Sequence, residues 1–435
     1  MTHLPDDASQ PSFFQEEGQA VYDVVVVGGG ASGVFCAIRL LEKHPTLRLL
    51  ILEAGEKPLQ KVRISGGGRC NVTHHCFDPV LLSTHYPRGG KPLKNLLRHF
   101  QPQDMIDWLK AHGVELHTEQ DGRMFPVTNA SDTIIACFLN TLRMLGGKLW
   151  TQCSFQTLTS DETFYTLGYT HQKRHDTLKA RHVVFATGSN PRLYPLFESL
   201  GVPVVPPVPS LFTLGIPDKH LQAFAGTSFS NPKVKLWVEG YKKPFEHQGP
   251  VLVTHWGLSG PAVLKLSAFA ARALAALGYH AKCALDFVPS MSFEALEQAW
   301  QAWVNTLSPK THLKNAMPDF LETSLPQKFW EGYVLPLSDT PPHTPVCELK
   351  KEQRRAVLRW LKGDIPWQVT SKGVFKEEFV TAGGVSLKAI DFSRMNLKTH
   401  PHLYVIGELL DIDGITGGFN FQNAWTTANA VRLTD

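Results

Sequence analysis

Cysteine is scarce in this 435-residue chain: there are seven, an odd number, and no two are spaced as CxxC. That argues against a disulfide framework and predicts a reducing, cytoplasmic setting. Long apolar runs are missing too. The most apolar stretch, Val24 to Ile38, lies between Asp23 and Arg39 and is broken by four glycines. It is too short to span a bilayer, so no membrane partner is expected. The polar start MTHLPDDASQPSFFQEEGQA lacks the apolar core of a secretory signal. Charge of one sign is also lacking. Lys and Arg total 43 against 39 Asp and Glu, a net +4 with no basic run, so no nucleic-acid partner is expected. The nineteen histidines show no ligand-like spacing with cysteines or acids, and no metal is expected. Internal repeats and low-complexity segments are absent.

What is present is an alternation of buried strands and helices. Val21–Val27 (VYDVVVV) reads as a strand buried on both faces, Ala31–Lys43 as a helix and Leu47–Leu52 as a second strand, together one βαβ unit. Helices are predicted at Leu93–His112 and Asp132–Leu145, and another buried strand at Arg181–Ala186. From about Pro203 the texture becomes proline-rich and extended. A helix is predicted from Ser259, as N-cap, to Leu277. Residues 292–306, 325–335 and 349–362 read as helical and Lys372–Ile390 as strands. His402–Ile406 reads as a last buried strand, and Phe421–Leu433 as a final helix. The length predicts two or three domains. The layout predicts a nucleotide-binding domain of residues 21–200 and 370–435, interrupted by a β-rich insertion (201–290) and a helical one (291–369), after a loose tail (1–20).

The strand VVVV runs into Gly28-Gly29-Gly30-Ala31-Ser32-Gly33, a G-x-G-x-x-G between strand and helix. Such glycines allow a tight turn, admit a diphosphate to the backbone and let the helix pack on the strand. The N–H groups of Gly28, Gly30, Ala31 and Ser32 are then diphosphate donors at a helix N-terminus. Glu53 lies twenty residues past Gly33, followed by Ala54, where a carboxylate accepts from a ribose 2′-OH. Strand, glycines, helix, strand and acid together predict a bound dinucleotide. Three further segments favour FAD over NAD, as in FAD enzymes resembling glutathione reductase. They are Ala186-Thr187-Gly188 at a strand end, Gly407-Glu408 with Asp411 after another, and Gly417-Gly418 with Asn420 at the start of a helix.

SGGGRCNVT (65–73), DGRMFP (121–126), THWGLSGPAVL (254–264), TAGGV (381–385) and GELLDIDGITGGFNFQNAW (407–425) resemble the HI0933-like, or aminoacetone-oxidase-like, family of bacterial flavoproteins. The resemblance covers nearly the whole chain, with the motifs in the family's order. It implies an α/β fold: a two-dinucleotide-binding-type (Rossmann-like, glutathione-reductase-like) FAD domain with an inserted β-barrel-like plus helical subdomain. It implies an FAD-dependent oxidoreductase acting on a small organic molecule and exchanging electrons with NAD(P)H or O₂. The chain departs from the family in two places. His74 stands where the family has Asn, and Ser189-Asn190-Pro191-Arg192 follows Gly188 where a T-G-D-G-Y segment is usual. The second departure leaves open whether NAD(P)H docks as a transient co-substrate.

Gly66–Gly68 are either a flexible loop or a side-chain-free backbone pressed against the isoalloxazine or ribityl chain. In the second case Asn71 bonds a ring edge or its own loop, and Arg69 orients the loop or a phosphate. Cys70 and Cys76 raise the alternative of a disulfide reductase. Five residues separate them, however, and six residues of helix rise about 9 Å, beyond the roughly 7 Å Cα limit of a bridge. Cys70 also reads as a lone thiol near the flavin or a packed small residue. His255 reads either as a proton carrier beside an anion-binding helix start or as a structural histidine. A third alternative is a non-redox FAD protein that binds RNA.

Overall fold

The computed structural model describes residues 21–373 and 380–434. The tail 1–20 and residues 374–379 of the stretch read as strands lie outside the described residues. The chain forms two compact units. One comprises the described residues up to Pro206 with Gly383–Ile412 and Gly417 onward; the other comprises Pro207–Ala382 with Asp413–Thr416.

The first unit is built on β1 (Val21–Val27), α1 (Ala31–Lys43) and β2 (Leu49–Leu52). Then come α2 (Gln60–Gly68), α3 (Gly90–Leu97), α4 (Ser131–Met144), β3 (Lys148–Trp150), β4 (Arg174–Phe185), α5 (Tyr194–Ser199), β5 (His400–Val405) and α6 (Phe419–Asn429). The strands stand in the order β5-β4-β1-β2-β3, all parallel. Val24–Val27 and all of β2 are at most 3% exposed. Strands covered on both faces cannot alternate polar and apolar residues, which is why VVVV and LLIL are continuous. Connections leave β1 toward β2 on one side, while β4 and β5 lie on the other. Ligands of open α/β sheets bind at the carboxyl ends of the strands beside such a reversal.

The Phe35 ring of α1 joins the sheet to the last helix, 5.6 Å from Trp425 of α6 and in contact with Phe100, Trp108 and Phe138. The helix predicted over Leu93–His112 is two helices, α3 and Pro102–Ala111. Pro102 forces the preceding residue out of helical geometry, and Gln101 is extended at φ −116°, ψ −178°.

In the second unit, four antiparallel strands lie in the order Phe245–Gln248, Lys233–Trp237, Ala281–Asp286 and Trp367–Val369. A second, five-stranded sheet includes Val251–Thr254 and Gly257–Ser259. The β-rich stretch and the helices Phe293–Thr306 and Lys351–Leu361 contribute to one core, from Leu214 through Val234, Leu266 and Trp300 to Leu361. Asp286, 2% exposed at its side chain, accepts from Lys235 (2.9 Å) and Lys362 (3.1 Å). No helix among the described residues is long and apolar enough to cross a membrane.

Candidate functional site

The fingerprint glycines are held by contacts that leave no room for side chains at two positions and ample room at a third. Gly28 has φ +110°, and a Cβ there would sit 2.6 Å from the Ala186 carbonyl oxygen. A Cβ on Gly33 would meet the Gly28 carbonyl oxygen at 2.0 Å, so α1 lies directly on the β1 turn. At Gly30 a Cβ meets nothing within 4 Å. This is the side of the turn that faces open space. The first turn of α1 carries no acidic residue and no side-chain cap, so its N–H groups are left for an outside acceptor. Glu53 follows β2, and its carboxylate accepts from the N–H of Gly29 (2.7 Å) and Gly55 (2.6 Å), which fixes it beside the fingerprint. Ala54 next to it is exposed.

Three strand ends meet here. β1, β4 and β5 run in register, Val27 opposite Phe185 and Phe185 opposite Val405. Ala186, Thr187 and Gly188 are thus placed next to Gly407 and Glu408. A Cβ on Gly407 would lie 2.6 Å from Ser32 Oγ, and the Gly407 N–H donates to Thr427 of α6 (3.0 Å). Glu408 pairs with Lys61 of α2 at 2.5 Å, a partner that strand-and-motif reasoning does not reveal. A Cβ on Gly188 would be 3.6 Å from the Glu408 carboxylate and 3.8 Å from Lys61 Nζ. Asp411 lies close by in the chain, its N–H donating to Val385.

The three consecutive glycines have a structural answer. α2 leaves helical geometry at Ser65, and Gly66, Gly67 and Gly68 all have positive φ (58°, 68° and 84°). A Cβ on Gly66 would strike Phe125 at 2.8 Å, whereas on Gly67 or Gly68 it would meet nothing within 4 Å. The run therefore presents bare backbone to open space. Arg69 orients it: the guanidinium lies 4.0 Å above the Phe125 ring, pairs with Glu119 at 2.7 Å and donates to the Gly66 carbonyl. With its amide turned to match the groups around it, Asn71 donates to the Thr73 carbonyl (3.0 Å) and accepts from the Gly418 N–H (2.9 Å), tying the loop to the start of α6. That helix begins at Phe419, two residues before the predicted Phe421. Asn420 is in its first turn, and Gly417 precedes it with φ +130°. His74, the departure from the family pattern, stacks 4.6 Å from Phe419, on which His85 also stacks at 4.4 Å.

Cys70 is fully buried with φ +62°, and burial pushes its thiol up to about 12. The Cys76 thiol is also raised by burial, and both cysteines are free. Thiol–disulfide exchange needs thiolates, so this environment disfavours the disulfide-reductase alternative. In native protein at mildly alkaline pH, exposed Cys347 is expected to react first with iodoacetamide and Cys70 among the last, read by peptide mass. Rapid alkylation of Cys70 would reveal an activated thiol and reverse this argument.

His255 lies in the second unit, exposed at the hairpin turn between Val251–Thr254 and Gly257–Ser259. The helix that follows is Pro261–Ala276, with Gly260 rather than Ser259 at its N-cap. Ser259 instead pairs with Leu252 in the hairpin, so strand pairing overrides its capping preference. Among the described residues no cluster of three or more His, Cys, Asp or Glu is placed to hold a metal.

The model of the HI0933-like protein Rossmann domain matches residues 22–432. A ribosomal RNA dihydrouridine synthase of Escherichia coli is 27% identical over 421 residues, covering 94% of this chain and 96% of that protein. A 3-dehydro-bile acid Δ(4,6)-reductase of Clostridium scindens is 27% identical over 410 residues, covering 92% and 96%. Among solved structures, a 3-ketosteroid-Δ4-(5α)-dehydrogenase of Rhodococcus jostii aligns over 96% of this chain and 98% of its own, at 12% identity and a TM-score of 0.48. The chain belongs to the HI0933-like family, with its Rossmann-type α/β fold, and is an FAD-dependent oxidoreductase. The open faces of Gly30, Gly67 and Gly68, the uncapped α1 terminus and the Glu53 carboxylate fit FAD.

Proposed function

We propose that the chain is a reductase that saturates a carbon–carbon double bond conjugated to a carbonyl, drawing its electrons from NAD(P)H. One observation carries the reading. Two relatives alignable over nearly the whole chain, with chemically unlike substrates, are named for that same reaction. Dihydrouridine is uridine saturated at its C5–C6 bond, and a 3-dehydro Δ(4,6) bile acid is a conjugated ketone. FAD, when bound, supplies the two-electron chemistry. The chain's own part is to bind and orient. The amides of Gly30, Ala31 and Ser32 would hold the diphosphate and Glu53 the ribose, since the Gly28 N–H, which the fingerprint also offered, donates to the Leu52 carbonyl and the Gly29 N–H to Glu53. The bare backbone of Gly67 and Gly68 lets the ring approach. Cys70, held neutral by burial, packs behind that loop.

Anaerobic mixing tests this. NADH or NADPH is expected to bleach the flavin absorbance, and a conjugated ketone or a uridine-containing RNA to restore it. Bleaching that only air reverses, across a panel of conjugated substrates, would mean an oxidase instead.

A second reading, in which the substrate is a uridine within RNA, is favoured by the surface of α3. Lys91, Lys94 and Arg98 share one face by their i, i+3, i+7 spacing, while Leu93, Leu96 and Leu97 are buried beneath. None of the three cations has an ion-pair partner among the described residues. A balanced total of +4 does not exclude such a local face. Reversing all three charges is expected to weaken RNA binding and flatten its log–log salt dependence by about 2, at roughly 0.7 per contact for single strands. Flavin bleaching by NAD(P)H is expected to be unchanged. An unaltered salt slope would return the substrate to small conjugated ketones.

A further inference from the structure

Lys61 is the second residue of α2, and the chain just before it is tied to the fingerprint turn: the Leu59 N–H donates to the Gly29 carbonyl (2.9 Å). Glu408 approaches the same turn from the other side. It follows Gly407, on which a Cβ would lie 2.6 Å from Ser32 Oγ in the first turn of α1. The two side chains meet at 2.5 Å. Gly188 fixes where they meet. A Cβ there would lie 3.6 Å from the Glu408 carboxylate and 3.8 Å from Lys61 Nζ, and apart from its chain neighbours it would meet nothing else described within 4 Å. The ion pair therefore rests on the end of β4, beside the first turn of α1, with open space around it.

A carboxylate beside an amide-lined anion site repels the anion unless a cation neutralises it. Lys61 does this for Glu408 with a single N–H. An ammonium has three donors, and the Lys61 side chain is 62% exposed, with Glu408 its one hydrogen-bond partner among the described residues. The other cations near the glycine loop are committed elsewhere, Arg63 to Asp132 and Arg69 to Glu119. The fingerprint itself supplies amides and a helix terminus but no formal positive charge, whereas a diphosphate brings formal negative charge. We propose that Lys61 is a cofactor-binding residue: its ammonium, steered by Glu408 against the end of β4, donates to the diphosphate of bound FAD. The premise is the FAD reading of the site.

Lys61→Met keeps a long, helix-compatible side chain and removes the charge with its donors. FAD affinity, measured by quenching of flavin fluorescence on the deflavinated chain, is expected to fall about 5–20-fold at low ionic strength, the size of one solvent-exposed contact to a charged group. ADP affinity is expected to fall by the same factor, because ADP carries the same diphosphate. The deficit is expected to shrink at about 0.5 M salt, where screening weakens both the lost attraction and the repulsion from Glu408. Lys61→Arg keeps the charge and is expected to recover most of the affinity. The apoprotein of Lys61→Met is expected to melt with wild type, since an exposed ion pair adds little stability. Equal or tighter FAD binding in Lys61→Met would overturn the proposal and make the ion pair an obstruction to the cofactor. So would a loss for FAD with none for ADP, a deficit indifferent to salt, or a matching fall in apoprotein stability. Failure of the wild-type chain itself to bind FAD would instead sink the cofactor reading on which the proposal stands.

Discussion

Gly30→Val is expected to reduce FAD affinity at least 100-fold while leaving the apoprotein as stable as wild type. The two halves of that result come from one local fact. Gly30 has ordinary geometry (φ −80°, ψ −171°) and empty space where its Cβ would be. A valine there strains nothing when no ligand is present. With the cofactor, its methyl groups occupy the volume the diphosphate needs and hold it away from the α1 amides. Losing two hydrogen bonds to a charged group costs roughly 3–6 kcal/mol, or about 10²–10⁴ in affinity. Gly33→Ala makes the contrast. Its Cβ would lie 2.0 Å from the Gly28 carbonyl oxygen, so helix and strand must part. Overpacking of this kind typically costs about 1–3 kcal/mol, and here apoprotein stability and FAD binding are expected to fall together. Flavin fluorescence titrations and apoprotein melting curves on the two variants separate the cases. Stoichiometric FAD in the Gly30 variant would mean that the diphosphate lies elsewhere.

The largest stability effect is expected from Asp286→Ala in the second unit. Asp286 accepts from Lys235 and Lys362 and from the Val288 N–H (3.0 Å), joining three separate segments. Each lysine also donates to a carbonyl, Lys235 to that of Lys362 and Lys362 to that of Val288. Their side chains are only 14% and 15% exposed, so they cannot simply swing into water. Removing the carboxylate leaves two positive charges packed together. Breaking a buried pair by deleting one partner costs about 3–5 kcal/mol, which for a unit of this size is on the order of a 10 °C fall in its melting transition. Calorimetry of the FAD-loaded chain measures it. A fall of less than about 2 °C would show that the lysines find other partners.

The parts of this molecule legible in the sequence are those decided within a few residues of themselves. Helix α1 runs over Ala31–Lys43 as read, because its apolar face, its opening glycines and its basic last turn all agree. Strand β1 was legible because burial on both faces leaves an unbroken apolar run. The break at Pro102 is also local, but the apolar periodicity on either side of it masks it. Ser259 was misread as a cap because its partner, Leu252, belongs to another strand. Lys61 carries no motif at all. It matters through Glu408, which the chain reaches only after nearly all of the second unit. What the glycines at 66–68 do was a question the sequence could pose. Only the packing of Phe125 and Arg69 around them shows which of the three faces protein and which two face open space.

The parallel pairing of β5 with β4 has a consequence in time. During synthesis β1, α1, β2 and β4 leave the ribosome long before β5 and α6, and nearly all of the second unit is made in between. Until then the Val183–Phe185 end of β4 is unpaired on that edge, its earlier half being paired with Tyr165–His171, and Phe35 and Phe138 lack the indole that covers them. The Trp425 indole also donates to the Val72 carbonyl across 353 residues of chain. Contacts of such sequence separation form late and slowly. The nascent first unit thus spends most of translation with an exposed apolar groove and an open strand edge, both aggregation-prone. Chaperone capture is expected to be strongest on ribosomes stalled just before codon 400 and to fall once α6 has emerged, as ribosome-bound pull-downs of staged truncations would show.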